Sequence, residues 1–226
     1  MTKQQNNFLL SITHELKSPL ASLKLSMQTI QKRQLDAEHI KSMADMSMDD
    51  IERLELLVEN ILLASKIESA NFSLNRELMD LSTITTTIYD KIIIKHSGQR
   101  KFLTEIEKDI YIYGDRFSFS SVIYNLIENA IKYSAADAEI TVALTGDEKN
   151  AYLSVKDTGI GIPGTEKSRI FERFYRIGTE ETRKTKGTGL GLFIVKHVVE
   201  MHKGSIQVKN NSPKGSIFEV SIPVGA

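Results

Sequence analysis

Apolar residues recur at every third or fourth position through the first third of the chain. One series occupies residues 9–30 and a second occupies residues 40–61. Because this spacing lines up one side of an α-helix, it predicts two long helices with narrow apolar stripes. The break falls at about residues 33–38, where Asp36 can cap the second helix. Such a hairpin cannot bury a core alone, so we expect it to pair with a second copy into a four-helix bundle.

The polar side of the first helix carries a histidine. His14 lies two residues from both Ile12 and Leu16, which places it roughly opposite the stripe and toward solvent. Pro19 lacks an amide hydrogen and should kink the helix one turn further on. Periodicity alone favours a coiled-coil spacer or stalk, but an exposed histidine followed by the carboxylate of Glu15 favours an accessible nucleophile. The other histidines are interpreted as solvated side chains: His39, His96, His197 and His202.

The pattern changes in the remainder of the chain. Residues 69–80 lose the helical spacing and are interpreted as a connector. Helices are then predicted over about 81–96, 115–133 and 190–202, and strands over 102–107, 110–113, 139–144, 151–156, 205–209 and 216–222. Helices interleaved with hairpin-connected strands predict an α+β layer, in which helices cover one face of a single, mostly antiparallel sheet.

Composition narrows the class of protein. Of 226 residues, 41% are hydrophobic and 26% are charged, which is typical of a globular fold. Basic and acidic residues number 29 each, so charge gives no reason to expect nucleic acid or a membrane surface as a partner. The absence of cysteine excludes disulfides and thiolate metal sites. No apolar run reaches transmembrane length, and the abrupt start suggests that an upstream part is missing.

Two amide side chains share a face of the helix predicted over 115–133. Asn125 and Asn129 are four residues apart, and Lys132 and Tyr133 lie one turn further on. An amide oxygen can ligate Mg²⁺, an ammonium group can neutralise phosphate, and an aromatic ring can lie against a base. Taken alone, such a pair is more often two solvated surface amides.

Two glycine-rich segments complete a candidate nucleotide site. Residues 157–163 follow a predicted strand, where Asp157 can accept from an exocyclic amine while Gly159 and Gly161 let the backbone approach a flat ligand. Residues 187–191 precede a helix, whose free N–H groups and dipole favour phosphate. The first pattern alone is often only a turn, and the second lacks the P-loop ending. Their order and spacing together are far more specific.

On these motifs the whole chain resembles the catalytic core of a sensor histidine kinase of two-component signalling. Residues 1–70 resemble the dimerisation and phosphoacceptor domain, residues 71–79 a linker, and residues 80–226 the ATP-binding domain of the gyrase, Hsp90, histidine kinase and MutL superfamily. The resemblance implies an all-α helical hairpin, a four-helix bundle in the dimer, followed by an α+β two-layer sandwich of the histidine kinase/Hsp90-like ATPase type.

The resemblance also implies roles for single residues. His14 would accept the phosphoryl group of ATP on a ring nitrogen, and Glu15 would hydrogen-bond the other ring nitrogen and act as base. Asn129 would ligate Mg²⁺ with Asn125 supporting it, and Asp157 would read the adenine amino group. Further nucleotide contacts would come from Lys132, Tyr133, Gly159, Gly161, Phe174, Arg176, Gly187, Thr188, Gly189, Leu190 and Gly191.

The implied partners are a second copy, joined through residues 1–70, and the receiver domain of a response regulator docking near His14. Residues 164–188 would close over ATP as a mobile lid. Ser18 stands where many relatives with phosphatase activity carry Thr or Asn, and its hydroxyl could still orient a water. The resemblance places the chain in the cytoplasm, with a parent protein anchored in the bacterial inner membrane.

Two other functions stay open. An ATP-driven machine of the gyrase or Hsp90 kind would carry a glutamate four residues before the Mg²⁺-ligating asparagine, but Asn125 occupies that place, so hydrolysis by water should be slow. A dimeric scaffold that binds nucleotide without kinase activity is the second alternative. The presence of Asn129, Asp157 and both glycine segments argues against it.

Overall fold

A computed structural model describes residues 3–67, 74–96, 100–178 and 187–225. Helices α1 (Lys3–Lys32) and α2 (Ala37–Ile67) form the predicted hairpin. The predicted cap of α2 is confirmed, because Asp36 accepts the backbone N–H of His39 at 2.8 Å. Helix α1 runs through Pro19 without interruption, and the kink expected there stays a prediction. None of the described helices is long and apolar enough to cross a membrane.

Many large apolar side chains of the hairpin, on the predicted stripe and beside it, are open to solvent in the single chain. The exposed side chains are Leu9, Leu10, Leu20, Leu25, Met27, Ile40, Met46, Met48, Ile51, Val58 and Leu62. Exposed apolar side chains in such number are typical of a helix that packs against a partner. Pairing of two copies through this face stays a prediction.

The remaining elements form a sheet with helices. The helices are α3 (Leu81–His96), α4 (Arg116–Lys132) and α5 (Gly191–Met201). The strands are β1 (Glu77–Asp80), β2 (Lys101–Ile106), β3 (Tyr111–Gly114), β4 (Glu139–Gly146), β5 (Asn150–Asp157), β6 (Ser205–Asn210) and β7 (Ser216–Pro223). Two short 3₁₀ turns, Gly164–Glu166 and Arg169–Phe171, lie between β5 and α5.

The main sheet has the strand order β2-β4-β5-β7-β6, and every pair is antiparallel except β2 with β4. Side chains that alternate along β4, β5 and β7 point into one core: Ile140, Val142, Leu144, Ala151, Leu153, Val155, Phe218, Val220 and Ile222. Helices α3, α4 and α5 cover this face, and the opposite face is more exposed. The helical hairpin followed by an α+β two-layer sandwich is therefore confirmed.

Two details of the predicted sheet are wrong. Residues 77–80, interpreted as part of the connector, form β1, which pairs with β3 in a separate two-stranded ribbon. Consequently β3 does not join the main sheet, and the strands form two sheets rather than the single one predicted. A four-residue strand is too short to show periodicity, and its pairing depends on a partner more than thirty residues away.

The interpretation of His202 as a solvated side chain is also wrong. The ring is buried with 2% exposure, its Nδ1 donates to the carbonyl oxygen of Val198 at 2.7 Å, and its Nε2 accepts the N–H of Asp115 at 3.1 Å. Burial lowers the pKa of His202, which favours the neutral ring that these two bonds require. Because Asp115 caps α4 through Ser118, the buried histidine fixes where α4 begins.

Candidate functional site

A cavity of about 620 Å³ lies between the helical hairpin and the sandwich. The wall on the hairpin side is formed by Glu15, Arg53, Leu56, Leu57 and Asn60. The sandwich supplies α4, the end of β5 and both glycine-rich segments. The volume suits a ligand of nucleotide size, and the site is built from two structural units.

Helix α4 directs its polar face into this cavity. Asn125, Asn129, Lys132 and Tyr133 all line it, as their spacing predicted. The Nδ2 of Asn125 donates to the carbonyl oxygen of Ser121 at 2.8 Å, and it also donates at 3.3 Å to an amide oxygen on α2, that of Asn60. Asn125 therefore joins α4 to the hairpin.

Asp157 lies at the end of β5 and is 4% exposed. Its Oδ1 accepts the N–H of Gly159 at 2.8 Å and the N–H of Ser216 at 3.3 Å. Burial raises the pKa of Asp157, and the two backbone donors oppose that shift. Since both bonds end on the same oxygen, Oδ2 is available to accept from an amine of a ligand.

The turn between β6 and β7 supports Asp157 from behind. Asn211 donates from Nδ2 to the backbone carbonyl oxygen of Asp157 at 2.8 Å. Gly215 has φ +117°, and a Cβ added there would overlap the same oxygen. Gly161 packs against Gly215. A Cβ added at Gly161 would lie 3.3 Å from the carbonyl oxygen of Gly215. This arrangement requires a residue without a side chain at position 215.

In the second glycine-rich segment, Gly187, Thr188, Gly189 and Gly191 line the cavity. A Cβ at Gly191 would lie 2.6 Å from Oδ1 of Asn125, so this segment packs directly on α4. Leu190 is instead a core residue with 1% exposure. Its side chain anchors the start of α5 and does not line the cavity.

Two other predicted contact residues lie behind the cavity wall. Gly159 is buried against Tyr133 and holds Asp157 through its N–H. Phe174 stacks on Phe8 of α1 with ring centroids 3.7 Å apart, and thus joins the predicted lid to the hairpin. Arg176 does line the cavity. Residues 179–186 of the predicted lid lie outside the described residues.

The predicted phosphoacceptor segment reaches the cavity edge. His14 is exposed on α1, as predicted, and the adjacent Glu15 lines the cavity. The Glu15 side chain is only 11% exposed and accepts from Nη2 of Arg53 at 2.8 Å. Ser18, one turn further along α1, is half-buried.

Two family models match the chain. The His Kinase A (phospho-acceptor) domain matches residues 4–70, and the histidine kinase-, DNA gyrase B- and HSP90-like ATPase matches residues 114–226. The chain belongs to the histidine kinases. Sensor histidine kinase RppB of Synechocystis sp. is 34% identical to this histidine kinase over 229 residues. That alignment covers 98% of this chain and 50% of RppB, so the chain spans half the length of this relative.

Solved structures of histidine kinases share the architecture. The histidine kinase AdeS of Acinetobacter baumannii is 26% identical with a TM-score of 0.59, covering 93% of this chain and 98% of AdeS. The histidine kinase ThkA, solved in complex with the response regulator protein TrrA, is 23% identical with a TM-score of 0.61. The match covers 98% of this chain and 64% of ThkA, and it shows a common fold.

Several residues that build the site of this histidine kinase were not predicted. They are Arg53 and Asn60 on α2, Asn211 and Gly215 in the turn before β7, and Ser216. The sequence Asn-Ser-Pro-Lys-Gly at 211–215 is typical of a turn, but its contact with Asp157 depends on the order of strands. The two residues on α2 are polar positions of an amphipathic helix, which periodicity assigns to solvent.

The charge of Lys132 should make nucleotide affinity depend on pH. Burial lowers the pKa of Lys132 to about 8, and the neighbouring Arg176 and Arg53 act in the same direction. As pH rises through about 8, Lys132 loses its proton and the cavity loses one of its cations. We expect ADP affinity to fall about fivefold between about pH 7 and pH 9.

Titration calorimetry of ADP binding at several pH values would measure this fall. Lys132→Arg keeps its charge throughout the range, so its ADP affinity should change little over the same interval. An equal fall in both proteins would assign the pH dependence to another group.

Proposed function

We propose that this chain transfers the γ-phosphoryl group of ATP to its own His14 and then to an aspartate of a response regulator. One observation carries the proposal. Glu15, next to the phosphoacceptor, lines the same cavity as Asn129, Lys132 and Asp157. The hairpin segment that carries the phosphoacceptor therefore borders the proposed nucleotide site, a proximity that a scaffold would not require.

The cavity offers a separate contact for each part of ATP. At one place the buried carboxylate of Asp157 can accept from the adenine amino group, with Tyr133 beside it to lie along the base. Lys132 and Arg176 supply positive charge for the phosphates. The N–H groups that open α5, around Gly189 and Gly191, provide further donors to phosphate.

The residues present also suit Mg²⁺ held together with ATP. Within the described residues there is no group of three or more histidine, aspartate or glutamate side chains that could enclose a metal. Mg²⁺ characteristically keeps several waters and takes phosphate oxygens with only one or two protein ligands. Asn129 would supply an oxygen ligand, and the ion would neutralise charge on the phosphates.

The transfer needs a nucleophile, a base and a leaving group. A ring nitrogen of His14 attacks the γ-phosphorus, the bond from that phosphorus to the bridging oxygen breaks, and ADP leaves. Glu15 takes the proton from the other ring nitrogen. The product is a phosphoramidate, which can pass its phosphoryl group to a carboxylate. The ThkA complex with a response regulator supports this type of partner, and Ser18 is the candidate for orienting a water in the reverse, phosphatase reaction.

The test is incorporation of label from γ-labelled ATP in the presence of Mg²⁺. We expect acid-labile, base-stable label in the chain, none in His14→Gln, and less than about a hundredth in Asn129→Ala, since that change removes the metal ligand. His39→Gln is the matched control, because His39 is also exposed on the same hairpin and should retain full labelling. Label that survives in His14→Gln would overturn the assignment. Nucleotide binding without any label would favour the scaffold.

A further inference from the structure

The ion pair between Arg53 and Glu15 joins the two helices of the hairpin at the cavity edge. Nη2 of Arg53 lies 2.8 Å from Oε2 of Glu15, and the side chains are 49% and 11% exposed, respectively. Both residues line the cavity. The carboxylate proposed as the base is thus sequestered from water and held by a cation on the neighbouring helix.

Among the described residues, Arg53 is one of three cations that line the cavity, with Lys132 and Arg176. Arg176 and Arg53 lower the pKa of Lys132, while Glu15 and Glu128 raise it, so each of these four groups lies within electrostatic reach of Lys132. A triphosphate brought to these cations would compete with Glu15 for a guanidinium. The planar fork of an arginine suits phosphate as well as it suits a carboxylate.

We propose that Arg53 is a positioning residue that exchanges Glu15 for the terminal phosphate of ATP and so releases the base for His14. The proposal rests on the phosphotransfer function above. With ADP, which lacks the terminal phosphate, the pair with Glu15 stays intact. With ATP, Glu15 is freed to take the ring proton at the moment when the γ-phosphorus is present.

Binding measurements separate this exchange from a structural role. If Arg53 exchanges between Glu15 and the terminal phosphate, removing the Glu15 carboxylate should strengthen binding of the phosphate to Arg53. We therefore expect Glu15→Gln to bind a non-hydrolysable ATP analogue about tenfold more tightly, the range of one charge-assisted hydrogen bond, with ADP affinity unchanged. The gain should disappear when Arg53→Gln is added.

Glu128→Gln is the matched control for charge alone, because Glu128 lines the same cavity but contacts Tyr124 and His96 rather than Arg53. Its effect on ATP-analogue affinity should be smaller than that of Glu15→Gln. An equal gain in Glu128→Gln, an equal gain for ADP, or a gain that persists with Arg53→Gln would each overturn the exchange.

The variants of Arg53 itself give a second, independent result. Arg53→Gln should bind the ATP analogue about tenfold more weakly than the parent chain and bind ADP equally well. Arg53→Lys keeps the charge but lacks the planar guanidinium, so its affinity for the ATP analogue should fall between those of the parent chain and Arg53→Gln. It also provides a second variant to measure if Arg53→Gln misfolds. Equal weakening for ATP analogue and ADP would contradict the proposal. These binding measurements do not depend on labelling. A parent chain that takes up no label would refute the proposed phosphotransfer but not the exchange at Arg53.

Discussion

Replacing Asp157 with asparagine is expected to weaken ATP binding by about a hundredfold. The asparagine Oδ1 can still accept the two backbone N–H groups that hold Asp157, so the turn should keep its shape. The amide nitrogen then occupies the place of Oδ2 and presents a donor to the adenine amino group, which is also a donor. A buried donor facing a donor leaves both groups without partners.

Inosine triphosphate provides the sharpest measurement, because it carries a carbonyl where adenine carries the amine. We expect Asp157→Asn to prefer inosine triphosphate over ATP, whereas the parent chain prefers ATP. Asp147→Asn is the control: Asp147 also accepts two backbone N–H groups, from Lys149 and Asn150, but lies in the β4–β5 turn outside the cavity wall. If both nucleotides weaken equally in Asp157→Asn, the carboxylate does not read the base.

The second large effect is expected at Gly215. Alanine there must adopt φ +117° and place its Cβ against the carbonyl oxygen of Asp157. Because the clash is with backbone, relief requires moving the end of β5 or the start of β7. We expect a loss of about 3 kcal/mol and a melting temperature lower by roughly 6–12 °C.

Thermal unfolding followed by circular dichroism measures this loss, and nucleotide titration should show that ATP affinity falls with it because Asp157 is displaced. Gly164→Ala is the matched control. No atom lies within 4 Å of a Cβ added at Gly164, so its melting temperature should stay within a few degrees of the parent. A Gly215→Ala variant as stable as Gly164→Ala would mean that the turn can shift freely.

The fold was predictable wherever a local pattern decided it. The cap of α2 at Asp36, the helix that begins near residue 115 and the strands of the main sheet follow from capping and periodicity. The ribbon of β1 and β3 was not predictable, since a four-residue strand takes its identity from its partner. His202 was misjudged for a related reason, because its two hydrogen-bond partners belong to α5 and to the residue before α4.

The residues of the candidate site were likewise predictable only where a local motif contained them. The motifs on α4 and in the glycine-rich segments indicated the residues that the structure brings to one cavity, and their individual roles stay predictions. No local pattern indicated that Arg53 and Asn60 would form part of the wall. Arg53 contacts Glu15 on α1 and Asn60 contacts Asn125 on α4, so both contacts depend on the tertiary structure.

A cavity whose walls belong to two units has a thermodynamic consequence. A ligand that touches both walls stabilises their docked arrangement by RT ln(1 + L/Kd), where L is the free ligand concentration. The coupling is reciprocal. If the ligand favours the docked arrangement by a given factor, separating the two walls raises the dissociation constant of the ligand by that same factor. Through the stack of Phe8 on Phe174, α1 is subject to the same linkage. A mechanical displacement of either helix should therefore be measurable as a change in nucleotide affinity.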